Sequence, residues 1–203
     1  MTVTQSEPPD IRLGIARGVS YGLFGSPDQF VAPSRELGAG IVRLYVYWSQ
    51  VQPEPTEWDW TVVDAFMAQL TGQEEAWVTV CSSSPWATRH ATDFLPSSPA
   101  KDEESFRRFV RALVSRCAGR VCYWQCNNEP SNVGLLWAGS AADYVAQLEA
   151  FHSAVREEDP AGCPRWLRLR RPLGRSGRAS KAVLRLRARR WRRPVRLVRD
   201  PPL

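Results

Sequence analysis

Several protein classes are excluded by what this chain does not contain. Its five cysteines, Cys81, Cys117, Cys122, Cys126 and Cys163, form no CxxC pair and are odd in number. Neither a disulfide framework nor a zinc site is signalled, and buried free thiols are the expectation. The two histidines, His90 and His152, have no metal-ligand spacing; both read as surface or packing residues, and no metal or cofactor is expected. The first ten residues lack a basic stretch followed by an apolar one, and no apolar run approaches membrane-spanning length. As written, the chain is expected to be soluble and cytoplasmic, with no membrane partner. No glycine-rich phosphate loop follows the first strand-like run, which argues against a nucleotide-binding doubly wound fold.

What is present points to a packed core. Apolar residues make up 43% of the 203 positions, and nine of them are Trp. That suits a globular domain rather than a disordered chain. A complete eightfold βα barrel, however, needs about 250 residues. The net charge of +6 divides unevenly: residues 1–162 carry 12 Lys and Arg against 20 Asp and Glu, whereas residues 163–203 carry 15 against one. Such asymmetry ordinarily marks an acidic domain with a basic arm for nucleic acid or membrane surfaces.

Along the chain, strand-like and helix-like stretches alternate. Residues 15–20 form a short strand-like run, and a helix candidate ends near Leu37-Gly38. Residues 41–48 are rich in β-branched and aromatic side chains, and period-two alternation puts Arg43, Tyr45 and Tyr47 on one face. Thr61 and Asp64 fit a capping box opening a helix whose apolar positions are Val63, Phe66, Met67 and Leu70. A third strand covers residues 77–81 and leads into a long loop containing Pro85, Pro96 and Pro99. The next helix has Phe106, Phe109, Val110, Leu113, Val114 and Cys117 at helical spacing and stops at Gly119. A fourth strand over residues 121–126 ends at Asn127-Asn128-Glu129-Pro130, and a fourth helix runs from Ser140, with a Ser140/Asp143 capping box, to about Glu158. Alternation of this kind implies parallel pairing through right-handed crossovers, in either an open doubly wound sheet or a barrel. Without a phosphate loop, the expected architecture is α/β: a partial TIM-type (β/α) barrel of about four βα units, followed by a basic irregular tail.

In a parallel barrel the functional side chains gather at the C-terminal ends of the strands, which is where Glu129 falls. A carboxylic acid there can protonate a leaving glycosidic oxygen, and the adjacent Asn128 amide can hold a sugar hydroxyl. The dipeptide alone also fits a turn capping the next segment. Taken with its surroundings, the sequence resembles the clan A glycoside hydrolases, the superfamily of cellulases, mannanases, xylanases and β-xylosidases. Asn128-Glu129-Pro130 is similar to the motif ending the fourth strand in that clan, and Val42-Arg43-Leu44 to its second-strand arginine. The stretch from Trp48 to Pro55 with Trp58-Asp59-Trp60, and Ser84-Pro85-Trp86-Ala87 after the third strand, are similar to its loops. The resemblance spans about residues 15–160. It implies Glu129 as general acid/base, a carbohydrate substrate, and Asn128, Arg43, Trp48, Trp86 and Trp137 as substrate-binding residues. Packing roles are the competing reading for the three tryptophans, a buried ion pair for Arg43, and a strand-end shaping role for Asn127.

The resemblance also implies a nucleophilic Glu on a seventh strand, and no carboxylate after Glu129 matches it. The expected divisions are an N-terminal extension (1–14), half of a glycoside hydrolase barrel (15–162) and an Arg-rich tail (163–203). In the tail, 31 of 41 residues are Arg, Leu, Pro, Ala or Gly. This composition suggests a reading frame lost near Gly162, in which case the intact parent is longer and could be exported. The alternatives are a basic arm that binds nucleic acid, with Trp166 and Trp191 as stacking residues, and a sugar-binding remnant without turnover.

Overall fold

A computed structural model describes residues 12–17 and 29–160. Residues 1–11 of the expected N-terminal extension, and the tail with Cys163, Trp166 and Trp191, lie outside the described residues. Four strands alternate with helices: β1 (Gly14–Arg17), α1 (Val31–Glu36), β2 (Ile41–Tyr47), α2 (Trp48–Val51), α3 (Thr61–Gln69), β3 (Glu75–Cys81), α4 (Glu103–Cys117), β4 (Val121–Cys126) and α5 (Ala141–Glu158).

All three neighbouring strand pairs are parallel, and their spatial order is the chain order β1-β2-β3-β4. This order separates the two architectures left open by periodicity. A doubly wound sheet reverses direction at a switch point, whereas a barrel adds each strand beside the last. The fold is α/β with the strand order of a partial (β/α) barrel.

The two faces of the sheet follow from side-chain alternation. Val42, Leu44 and Val46 of β2 and Ala76, Val78 and Val80 of β3 are buried in one core with Val63 and Phe66 of α3 and Phe109, Val110 and Leu113 of α4. The opposite face carries Arg43, Tyr45, Trp77, Thr79, Tyr123 and Gln125, aligned across the strands by their register. Its lower end is closed by polar contacts: Arg12 pairs with Glu75 at 2.7 Å, and the Tyr123 hydroxyl donates to Glu75 at 2.6 Å. Arg12 also donates to that hydroxyl at 3.3 Å. A side chain beside β1 therefore reaches side chains of β3 and β4 on this face.

The element ends show where local chemistry overrode the expected pattern. At α5 the Ser140/Asp143 capping box forms in full. At α3 the expected Thr61/Asp64 box does not form: Trp60 is the N-cap without a side-chain bond, Asp59 accepts the Thr61 N–H at 2.9 Å, and Asp64 pairs with Arg116. A nearby guanidinium on α4 competes successfully for the carboxylate. Helix α4 is capped at its start by Asp102, which accepts the Ser105 N–H, and at its end by Ala118 in the left-handed region at φ 49°. The first strand is described only to Arg17, short of the expected Ser20, and the second yields at Trp48 to the one-turn helix α2.

Cys81, Cys117, Cys122 and Cys126 are buried free thiols. Burial pushes the Cys81 and Cys117 thiols up to about 12, so neither is a ready nucleophile. His90 and His152 are both exposed. Among the described residues no group of His, Cys, Asp or Glu is arranged to hold a metal ion, and no helix is long and apolar enough to cross a membrane.

Candidate active site

The site is assembled on the polar face of β2, β3 and β4 and at the C-terminal end of β4. Arg43 points from β2 toward its neighbours, donating through Nε to Thr79 Oγ1 at 2.8 Å and through a terminal nitrogen to Gln125 Oε1 at 2.9 Å. The same nitrogen donates to Asn128 Oδ1 at 3.0 Å. Its guanidinium lies 4.5 Å from the centre of the Tyr45 ring and 4.9 Å from that of Trp77. The ion-pair reading of Arg43 finds no support among the described residues, since its partners are neutral oxygens and aromatic faces. A delocalised cation suits such a setting better than an ammonium would.

Asn128 is thereby oriented. Its Oδ1 accepts from Arg43 and, at 3.2 Å, from the Tyr45 hydroxyl. With the oxygen turned toward two donors, the Nδ2 amide hydrogens face away from them. Beside it, Asn127 is fully buried and does shape the strand end. Its Oδ1 accepts the Ser82 N–H at 2.8 Å, its own N–H donates to Val80 O, and its carbonyl accepts from Gln125 Nε2 at 2.8 Å. Gln147 of α5 supports the same corner by donating to Ser82 Oγ at 2.7 Å.

Glu129 follows in an unusual backbone. Asn127 and Glu129 have φ of 55° and 44°, left-handed values that cost a non-glycine residue about 1–2 kcal/mol. The bonds around Asn127, and the Asn132 N–H donated to the Glu129 carbonyl at 2.9 Å, hold this turn in place. Glu129 itself is exposed. Its charge is close enough to act on Tyr45: burial pushes the Tyr45 phenol above its ordinary range, the Glu129 charge adds in the same direction, and Arg43 opposes both.

The tryptophans divide differently from the expectation. Trp48 is wholly buried, stacked on Phe109 with centroids 5.0 Å apart and bonded through Nε1 to Gln52. Trp137 is 1% exposed, with Nε1 donating to the Ser140 carbonyl. Neither has a free face for a sugar, so the substrate-binding expectation is corrected for both; helix packing claimed them. Trp86 is half-buried, but its Nε1 is bonded to the Gln52 carbonyl and its ring meets the edge of Trp48. It thus joins the Trp48 cluster rather than the group around Arg43.

Beside Asn128 lies a cleft of about 190 Å³ bordered by Tyr45, Tyr47, Phe94, Leu95 and Leu136, with Cys81 and Ser97 also in its lining. Thr79 and Gln125 were legible in principle, as polar residues sharing the strand parity of Trp77 and Tyr123. Phe94, Leu95 and Leu136 sit on irregular loops, where periodicity carries no signal.

No family model and no curated protein sequence matches the chain. Solved structures do. A β-xylosidase from Caulobacter crescentus CB15 aligns with a TM-score of 0.56 at 17% identity, over 75% of this chain and 34% of the other. An exo-β-1,4-mannosidase from Opitutaceae bacterium strain TAV5 gives 0.55 at 18%, over 74% and 30%. A family 39 glycoside hydrolase from Bacteroides cellulosilyticus WH2 gives 0.51 at 17%, over 73% and 30%. The fold is shared with part of the barrels of those three enzymes. This chain spans about a third of the length of those relatives.

Proposed function

We propose that this chain carries the acid/base side of a retaining O-glycosidase site acting on an oligosaccharide or other glycoside. The observation that supports this most is the locked Asn128 amide, held by Arg43 and Tyr45 next to an exposed carboxylate at the C-terminal end of β4. In this reading Glu129 first gives its proton to the glycosidic oxygen as the bond to the sugar breaks. In the second half of the reaction it takes a proton from the water that releases the sugar. Asn128 Nδ2 donates to a hydroxyl of the sugar, and Arg43 fixes the orientation in which it does so.

Retention also requires a nucleophilic carboxylate about 5 Å from the acid. No described residue is assigned to that role. A second reading is a sugar-binding protein that keeps the cleft beside Asn128 without turnover. Hydrolysis of aryl β-glycosides by the full chain decides between them. Under the first reading Glu129→Gln lowers the rate at least about 100-fold. Turnover that is absent in the wild type, together with saccharide binding weakened by Asn128→Ala, establishes the second.

A further inference from the structure

The cleft beside Asn128 has a chemistry of its own. Tyr47 and Phe94 bring their rings to 4.5 Å between centroids, and Leu95 and Leu136 also border the space. The hydroxyls that reach it are already engaged. Tyr45 donates to Asn128 Oδ1 at 3.2 Å. Tyr47 has a partner within the protein as well, and Ser97 lies 3.3 Å from the Ser83 hydroxyl. With Oδ1 held by Arg43 and Tyr45, Asn128 Nδ2 is left to donate to an occupant.

A pyranose ring carries several hydroxyls, each of which needs a partner when buried, and a lining dominated by aromatic and aliphatic side chains offers few. A planar apolar group has no such requirement and gains from offset or edge contact with the two rings. At about 190 Å³ the cleft is smaller than the usual drug-sized pocket and suits one ring. We propose that the cleft binds an aromatic group of the substrate, a phenol-derived aglycone or substituent whose linking oxygen accepts from Asn128 Nδ2. This rests on the glycosidase reading for its link to a sugar, but the preference for an aryl group over a sugar ring stands on the lining alone.

Titration of the isotope-labelled full chain by NMR tests it, following the Leu95 and Leu136 methyl groups and the Asn128 side-chain amide. The probes are 4-methylphenol, methyl β-D-xylopyranoside and xylobiose. The expected result is saturable movement of all three signals by 4-methylphenol, with Leu136→Asn and Phe94→Ala each weakening it at least tenfold and the sugars leaving the two methyl signals in place. No movement with 4-methylphenol overturns the proposal, as does saturation of the methyl signals by either sugar at equal or lower concentration. Failure of the glycosidase reading is distinguishable, because it appears as aryl-glycoside turnover indifferent to Glu129→Gln while 4-methylphenol still binds.

Discussion

Arg43 has the most to lose at the residue scale, because three neutral oxygens depend on its donors. Arg43→Met leaves Gln125 and Asn128 short of a partner and is expected to cost about 1–3 kcal/mol in urea unfolding. Arg43→Lys restores the charge but not the planar fork, so saccharide or aryl-glycoside affinity measured by calorimetry should stay at least tenfold below wild type. Trp48 offers the contrast. Its side chain is fully buried against Phe109 and Phe106. Trp48→Ala is expected to destabilise the fold by about 3–5 kcal/mol. Where the variant remains folded, ligand affinity should be unchanged; a selective loss of affinity would contradict the core assignment. Arg43 and Glu129 were legible in the sequence because strand parity and strand-end position are local properties. Whether a tryptophan faces the core or a ligand was not, since Trp48 belongs to α2 and packs against residues nearly sixty positions later.

At the scale of elements, the helix starts contribute to the pH dependence of stability. Asp102 is held below its ordinary range by the Ser105 hydroxyl and N–H, and Asp143 by Ser140 and then Arg89. Carboxylates depressed in the folded state stabilise it above the ordinary Asp value of about 3.9, and that contribution disappears as the pH falls through their folded values. The urea midpoint should therefore drop between about pH 5 and pH 2. In the double variant Asp102→Asn, Asp143→Asn, which keeps capping oxygens but removes the titration, the drop should be shallower. Ser140→Ala breaks the capping box directly and should cost about 1 kcal/mol at neutral pH. Both the α5 box and the α4 stripe could be read from spacing. The failed box at Thr61 could not, because its competitor Arg116 comes from another helix.

For the whole molecule, the charge split has a measurable consequence independent of fold. The full chain carries +6, while residues 1–162 hold 20 acidic against 12 basic side chains. Retention on a heparin column should be strong and salt-sensitive for the full chain and absent for a 1–162 truncation. Equal retention of the two would show that the basic residues of 163–203 are not available to a polyanion.

Composition, periodicity and strand-end position determined the class of this protein: alternating βα units, a core face and a polar face on each strand, and a carboxylate placed where barrel chemistry occurs. These depend on residues close together in the chain, so they survive without knowledge of the fold. The tertiary structure alone decided that the strands lie in the order of a barrel. It also decided that Trp48 and Trp137 are packing residues, that Asn128 is locked by two partners on β2, and that Phe94, Leu95 and Leu136 meet beside it. Each of those depends on contacts between distant segments, whose geometry is set by which hydrophobic faces bury each other rather than by any local pattern.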